Sequence, residues 1–133
     1  MALKTFTKDK VKRSQPTQWL VNVNLHTGCF YLNNLVADDM ALKIGQHAIV
    51  AEDEDSKNWL ISFDNKENGY ILKVLSNHGY RPRLCFSCRR AATALIEAVK
   101  AQKAATFLIS RKPVEIEGKM WFKILHKQPI RKN

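Results

Sequence analysis

The sequence has few cysteines and no long apolar run. Its 133 residues include three cysteines, a small and odd number for a disulfide framework, so we expect a reducing, cytoplasmic environment. No apolar run approaches the roughly 18 residues of a membrane-spanning helix. The basic N-terminus is not followed by the stretch of about 7–15 apolar residues that marks a secretory signal. Since a typical domain has roughly 100–150 residues, the sequence predicts one small soluble domain without membrane attachment.

Catalytic patterns are absent as well. The chain has no nucleophile motif, no Walker A loop and no dinucleotide-binding fingerprint. His47, His78 and His126 stand apart from any carboxylate or nucleophile pattern. We therefore expect neither an enzyme nor a bound cofactor, and no small-molecule substrate.

Acidic residues are scarce in one part of the chain. Lysine and arginine number 22 against 12 aspartates and glutamates, which gives a formal net charge of +10. Residues 70–112 contain nine basic residues and one acidic residue, whereas residues 51–69 contain six acidic and two basic residues. A field of one sign attracts polyanions, so this pattern predicts a nucleic-acid partner. The acidic run at residues 52–55 lacks the glycine and the distant glutamate of a calcium loop, and we interpret it as a solvated turn.

Composition divides the chain into three regions. Residues 1–16 lack apolar periodicity and end at Pro16, which predicts a flexible basic arm. Residues 17–126 form the folded domain. Residues 127–133 form a basic tail that we expect to be frayed.

The folded domain contains two similar halves. In residues 17–75 and again in residues 80–126, a strand that contains Cys-Phe is followed by a helix and two strands, the last of which begins at a tryptophan. This order predicts two pseudo-repeated β–α–β–β units. The predicted fold class is α+β, a curved antiparallel sheet or partial barrel with two helices. Residues 70–75 read as a single strand, and Glu117-Gly118 predicts a hairpin turn.

The two helices have separate signals at their ends. The first spans residues 35–42, with Asn33 or Asn34 as its N-cap and Gly45 as its end. The second follows Ser87, its expected N-cap. Its apolar residues have the spacing of a helix with one buried face and are Ala92, Leu95, Ile96 and Val99.

Residues 27–53 contain a glycine, an alternating strand, a short helix, an L-x-x-G motif and another strand. They include Thr27-Gly28-Cys29-Phe30-Tyr31-Leu32, then Leu35, then Leu42-Lys43-Ile44-Gly45, then Ala48-Ile49-Val50. This order resembles the AbrB-like, swapped-hairpin family of small transcription regulators. The resemblance implies an intertwined homodimer that binds DNA and a role in transcription regulation. The chain departs from the family pattern at Asn22 and Asn24, where the resemblance leads us to expect basic residues.

Two arginines follow the expected N-cap of the second helix. Arg89 and Arg90 lie in its first turn, where the helix dipole disfavours cations by about 0.3–1 kcal/mol each. A bound phosphate would remove this conflict, because free backbone N–H groups and both guanidinium groups can converge on it. The alternative is a solvated pair that serves solubility. The predicted nucleic-acid-binding residues belong to the surrounding basic segment and are Tyr80, Arg81, Arg83, Arg89, Arg90, Lys100, Lys103, Arg111 and Lys112.

The cysteines allow three interpretations. His26, Cys29, Cys85 and Cys88 are residue types that zinc accepts as ligands, and Cys-x-x-Cys at a helix N-terminus is also the pattern of a redox dithiol. Periodicity favours the third interpretation, ordinary core and surface cysteines. Cys88 falls on the apolar stripe of the helix and reads as a small buried hydrophobe, while Cys85 should face away from its two strand neighbours. We therefore predict no metal site.

The sequence thus predicts a small non-enzymatic nucleic-acid-binding protein, with DNA favoured over RNA, that contacts phosphates through a basic patch. The rival is a protein-interaction module whose basic face docks an acidic partner. The two functions require different surfaces. Stacking on bases requires an exposed Tyr80, Tyr31 or Phe86, whereas a docking surface requires an exposed apolar patch.

Overall fold

The computed structural model describes residues 18–64, 69–75 and 83–132. Within these residues the chain forms eleven strands and two helices. The strands are β1 (Leu20–Asn24), β2 (Cys29–Leu32), β3 (His47–Glu52), β4 (Trp59–Asp64), β5 (Tyr70–Ile71), β6 (Lys73–Leu75), β7 (Arg83–Ser87), β8 (Ala104–Ile109), β9 (Val114–Ile116), β10 (Lys119–Leu125) and β11 (Arg131–Lys132). The helices are α1 (Asn34–Asp39) and α2 (Arg89–Ala98). The predicted arm at residues 1–16 and the predicted site residues Tyr80 and Arg81 lie outside the described residues.

The strands pair antiparallel in one curved sheet. Their order is β5-β3-β4-β10-β8-β1-β2-β7-β6, with β9 beside β10 and β11 beside β8. The two ends of this order, β5 and β6, are separated in the chain by Leu72 alone, so the sheet curls until its ends almost meet. The result is a nearly closed barrel with two helices, which confirms the predicted α+β class and partial barrel.

The two halves of the chain pair reciprocally. β2-α1-β3-β4 corresponds to β7-α2-β8-β10, and the equivalent strands β2 and β7 pair with each other, as do β4 and β10. Each unit also has a leading strand that the predicted β–α–β–β pattern omits. β1 pairs with β2 of its own unit and with β8 of the other. The β5–β6 segment, which the prediction assigns to the first half, precedes β7 as β1 precedes β2, and it pairs with β7 and with β3 of the first unit. Each leading strand therefore pairs with strands of both units, so the two units are intertwined within one chain.

The strand predicted over residues 70–75 is interrupted at Leu72. The N–H of Leu72 donates to the Gln46 carbonyl (2.7 Å), and its own carbonyl accepts from the Gly45 N–H (3.1 Å). Its side chain is fully buried. Because the backbone of Leu72 bonds to the loop before β3, the segment changes its strand partner at this residue, from β3 to β7.

The core lies inside the barrel and is formed by alternate residues of the strands. Phe30 and Phe86 are opposite each other in β2 and β7, and their rings stack with centroids 4.9 Å apart. Because β2 and β7 are antiparallel, the helices that follow them lie at opposite ends of the barrel. Val36 of α1 and Leu95 and Ile96 of α2 join the same buried cluster, as the predicted apolar stripe of the second helix requires.

Both helices begin where the chain leaves a strand, but only α1 has a side-chain cap. The Asn33 side-chain oxygen accepts from the Val36 N–H at 3.3 Å, which confirms Asn33 as one of the two predicted caps. Gly45 does not end α1, since the helix stops at Asp39 and its C-cap is Met40. The prediction of Ser87 as the N-cap of α2 is also wrong. Ser87 stays in β7, and Cys88 occupies the cap position without a side-chain bond.

The chain beyond β8 is more regular than its composition indicates. Glu117 and Gly118 both have positive φ values, 53° and 79°. The β9–β10 turn therefore has the backbone conformation of the predicted two-residue hairpin turn. The basic tail, for which composition predicts fraying, forms β11, and Arg131 lies opposite Thr106 of β8. No helix among the described residues is long and apolar enough to span a membrane.

Candidate nucleic-acid interface

Six neighbouring strands present one continuous outer surface, which we call the basic face. They lie in the order β11-β8-β1-β2-β7-β6. Alternate residues of these strands point into the core, and the residues between them point outward. The strand registers place one outward residue of each strand side by side in a single row: Arg131, Thr106, Asn22, Tyr31, Cys85 and Lys73.

The basic face contains no carboxylate. None of its six strands includes an aspartate or glutamate. Its outward basic residues, Lys73, Arg83 and Arg131, are exposed and make no ion pair with any described residue. The acidic side chains that the structure describes lie in α1, at the β3–β4 turn, in the β9–β10 hairpin and at Glu97 of α2. The charge is therefore separated in space as well as in sequence.

Tyr31 lies at the centre of the row. Its hydroxyl is 3.2 Å from the Thr27 hydroxyl, four residues earlier in the chain, so the ring extends along β2 toward the β1–β2 turn. The Thr27 hydrogen bond lowers the pKa of Tyr31, but burial and the neighbouring Cys29 outweigh it and leave this pKa raised. Beside Tyr31, the Asn22 amide donates to the Thr106 hydroxyl at 2.8 Å. The middle of the row is thus polar and uncharged at neutral pH.

The β1–β2 turn fixes α2 at one edge of the basic face. The Cys88 N–H donates to the Gly28 carbonyl (2.9 Å), and the Leu25 N–H donates to the Lys103 carbonyl (2.8 Å). The Arg89 guanidinium reaches the His26 carbonyl at 3.4 Å. These contacts bring the start of α2 and the start of β8 to the same turn, so Arg89 and Lys103 extend the cationic border of the face.

The structure separates the predicted binding residues into two groups. Arg83 lies on the basic face, and Arg89 and Lys103 lie beside the β1–β2 turn that borders it, whereas Arg90 lies near Tyr70 of β5. Lys100 follows α2, three residues before Lys103. The second group, Arg111 and Lys112, follows β8 at the opposite end from Lys103.

Arg111 has partners of its own. Its guanidinium lies 3.9 Å from the Asp39 carboxylate and 5.5 Å from the centre of the Trp19 ring. Asp39 also accepts from the Trp19 indole N–H at 2.8 Å. Arg111 therefore helps to hold α1 against the barrel.

The cysteines occupy three different environments. Cys88 is buried in the core, as predicted, while Cys85 faces outward beneath its neighbours and is only 8% exposed. Burial and the nearby Cys29 raise the pKa of the Cys85 thiol, whereas a redox-active thiol needs a lowered pKa. Cys29 is half-buried, and all three are free thiols. Among the described residues, no three metal-ligating side chains lie together.

A concavity of about 560 Å³ lies away from the basic face, between the β3–β4 turn and the β9–β10 hairpin. Leu60, Ile116 and Trp121 line it, together with acidic side chains that include Glu52 and Glu117. The adjacent acidic turn is exposed throughout, which confirms the interpretation as a solvated turn. Hydrogen bonds from the Ser56 hydroxyl and from the backbone lower the pKa of Asp53, so this pole of the molecule remains negative.

Sequence reasoning misses four of the six residues in the row. Asn22, Thr106, Lys73 and Arg131 are far apart in the chain and carry no motif. The sequence indicates Tyr31 only as one of three possible stacking residues. Of these three, Phe86 is buried against Phe30 and cannot contact a base. The alternation in each strand indicates which residues face outward, but only the strand order shows that they form one row.

Comparisons of the chain with protein-family models, with curated proteins and with solved structures found no match. The resemblance to AbrB-like regulators therefore stays a prediction. The functional argument rests on the geometry and charge of the basic face.

Proposed function

We propose that this protein is a non-enzymatic nucleic-acid-binding protein that uses the basic face. The observation that carries the proposal is a six-strand surface without carboxylates, bordered by cations that have no ion-pair partner among the described residues. Unpaired lysines and arginines around a polar surface suit a ligand with repeated negative charges. Phosphate groups are such charges, and their neutralisation releases bound counterions, which favours binding.

The dimensions of the basic face suit an extended polyanion. Lys73 and Arg131 are separated by five inter-strand spacings, about 24 Å along the curved sheet at roughly 4.8 Å per spacing. Because the sheet curls into a nearly closed barrel, a ligand that contacts both residues must follow this curved path, with negative charge at both ends. Between them lie hydroxyl and amide groups, which can bond to bases and sugars.

Fluorescence anisotropy with labelled oligonucleotides tests the proposal. Binding should weaken steeply as salt rises from about 50 to 200 mM. The double variant Lys73→Gln/Arg131→Gln should reduce the slope of log K against log salt by about 0.7–0.9 for each phosphate that the variant no longer neutralises. The matched control is Lys57→Gln/Lys123→Gln, which removes the same charge from exposed positions off the basic face and should leave the slope near that of the wild type.

Two results would contradict the proposal. One is the absence of binding to DNA and RNA even at low salt. The other is an equal reduction of the slope in the two double variants, because net charge alone would then explain the binding.

The resemblance to AbrB-like regulators adds two finer proposals, a homodimer and a role in transcription regulation. The exchange of strands between the two units is consistent with the intertwining that the resemblance implies, although it occurs within one chain. Light scattering on the full chain tests the first. A mass of twice the 15.3 kDa of one chain supports the dimer, and a mass of 15.3 kDa contradicts it.

A second candidate function is docking of an acidic protein, and one observation favours it. Leu20, Leu108 and Leu125 lie side by side on the outside of β1, β8 and β10, next to the polar row. Leu125 is 43% exposed, and an apolar strip beside cations is a feature of protein interfaces. If docking is the function, Leu125→Ser should abolish binding of the protein partner, whereas nucleic-acid binding should change little.

A further inference from the structure

Resting on the proposed function, the geometry points to single-stranded nucleic acid as the ligand of the basic face, with one base stacked on Tyr31 and the strand crossing the row from Lys73 to Arg131. Three features of the face carry this inference. They are the orientation of the Tyr31 ring, the chemistry of its neighbours and the extent of the row.

The Tyr31 ring lies along the sheet rather than projecting from it. The hydroxyl contact with Thr27, at 3.2 Å, requires the ring to extend over the position of Cys29, two residues back on the same side of β2. One face of the ring is then directed toward the sheet, near Cys29 and Cys85. The other face is then directed outward, toward the side from which a base would approach the half-buried ring. An aromatic ring fixed flat on a sheet is what stacking on a nucleotide needs.

The neighbours of Tyr31 are small and able to form hydrogen bonds. Asn22 lies directly opposite it in β1, and Cys85 lies directly opposite in β7. After the Asn22 amide donates to Thr106, it keeps its carbonyl oxygen and a second N–H for a ligand. No described residue in the row is larger than Tyr31, and no negative charge opposes a phosphate there. A base on Tyr31 therefore has hydrogen-bonding groups beside it and no described steric obstacle in the row.

The extent and composition of the face favour a single strand over a duplex. The row, about 24 Å long along the curved sheet, can accommodate a flexible strand of about four nucleotides that follows the curve, the lower limit for single-strand sites on small barrels. A duplex keeps its bases stacked inside and offers phosphates to a convex surface, so Tyr31 would have no base to stack on. Stacking on Tyr31 therefore requires unpaired bases.

The test compares three variants with three ligands. Labelled oligo-dT, oligo-rU and a DNA duplex of the same length are titrated with the wild type, Tyr31→Leu and Tyr31→Phe. Tyr31→Leu removes the ring, whereas Tyr31→Phe keeps the ring and removes only the Thr27 hydrogen bond. Circular dichroism and urea unfolding establish that each variant is folded. The salt slope is measured in parallel, because removal of stacking should leave the number of phosphate contacts unchanged.

We expect the wild type to bind single strands at least tenfold more tightly than the duplex. Tyr31→Leu should weaken single-strand binding by about tenfold to a hundredfold with an unchanged salt slope, and Tyr31→Phe should stay within about threefold. Comparison of oligo-dT with oligo-rU identifies whether DNA or RNA is preferred, and either preference supports the inference.

Preference for the duplex, or full single-strand affinity in Tyr31→Leu, would overturn this inference while the proposed function stands. A large drop in affinity in both Tyr31 variants would also overturn it, because the hydroxyl rather than the ring would then be essential. No binding of any ligand would instead contradict the proposed function itself.

Discussion

At the scale of single residues, Gly28 determines how the basic face meets α2. Its φ is +70°, and a Cβ atom built there would lie 3.1 Å from the Cα of Arg89. The turn and the helix approach so closely that only a hydrogen fits between them without displacement. This contact, together with the hydrogen bond from Cys88 to the Gly28 carbonyl, keeps Arg89 beside the turn.

Gly28→Ala should therefore destabilise the protein more than a matched glycine replacement. Gly118 has a similar φ of +79° but nothing within 4 Å of an added Cβ. Gly118→Ala should cost only the left-handed backbone penalty of about 1–2 kcal/mol, and Gly28→Ala should cost a further ~1 kcal/mol or more from the forced contact. Urea unfolding of the two variants measures the difference, and equal destabilisation would contradict the close packing of the turn on α2.

The thiols provide a second test at this scale. Cys29 is half-buried, while Cys85 and Cys88 are buried, so one thiol should react quickly with a disulfide reagent in the native protein and all three after unfolding. Fast reaction of two thiols at neutral pH would contradict these environments and would favour the dithiol interpretation.

The raised pKa of Cys85 also predicts a pH dependence of stability. Burial raises this pKa above its ordinary value of 9.0, so the folded protein holds the proton more tightly than the unfolded chain. The resulting stabilisation is fully present below about pH 9 and is lost as the pH rises through the folded-state pKa. The free energy of unfolding should fall in alkaline solution, and the fall should be shallower in Cys85→Ala. An identical pH dependence in the variant would contradict the assignment.

At the scale of elements, the two helices differ in how they begin. Asn33 is the first residue after β2, and although its N–H still donates to the Leu20 carbonyl of β1 at 3.1 Å, its side chain caps α1. Ser87 has the right side chain for a cap, but its backbone belongs to β7 opposite Cys29. The helix start therefore moves one residue along, to Cys88. A local preference for capping is here overridden by strand pairing.

Asn33→Ala should cost about 1 kcal/mol of stability, since it removes the side-chain cap of α1. It also removes a hydrogen bond from the Asn33 amide to the Gln18 carbonyl at 2.7 Å. Ser87→Ala, the matched control, should change stability by less than about 0.5 kcal/mol, because Ser87 is exposed and makes no cap. Thermal unfolding measures the loss of stability in both variants. A greater destabilisation in Ser87→Ala than in Asn33→Ala would show that the caps are misassigned.

Local sequence patterns predict many of the helices and strands, but not the residues at which they begin and end. The alternation in β1, the stripe on α2 and the hairpin at Glu117-Gly118 are all present in the structure. Local patterns do not predict the break at Leu72 or the pairing of β11 with β8. Leu72 changes partner because its backbone bonds to the loop before β3, and Arg131 is ordered because Thr106 lies next to it. Both depend on residues distant in sequence.

At the scale of the whole molecule, the candidate site depends on the order of the strands. A basic stretch of sequence predicts Arg83, Arg89 and Lys103 as binding residues, and the structure places Arg83 on the basic face and the other two beside its β1–β2 turn. Tyr31, Thr106 and Lys73 fall in one row only because their strands lie in the sheet order β8-β1-β2-β7-β6. That order arises from the exchange of strands between the two halves, which no local pattern encodes. The sequence predicts the charge imbalance, but it does not predict which residues form the row.

The most direct test of the account is to map the ligand on the protein by NMR. We would record amide chemical shifts of the nitrogen-15-labelled full chain during titration with oligo-dT. The account predicts that the largest shift changes fall on Asn22, Tyr31, Cys85 and Thr106, with little change in β3, β4 and the β9–β10 hairpin. Changes confined to that hairpin and the β3–β4 turn, or no changes at all, would contradict the claim that the basic face binds nucleic acid.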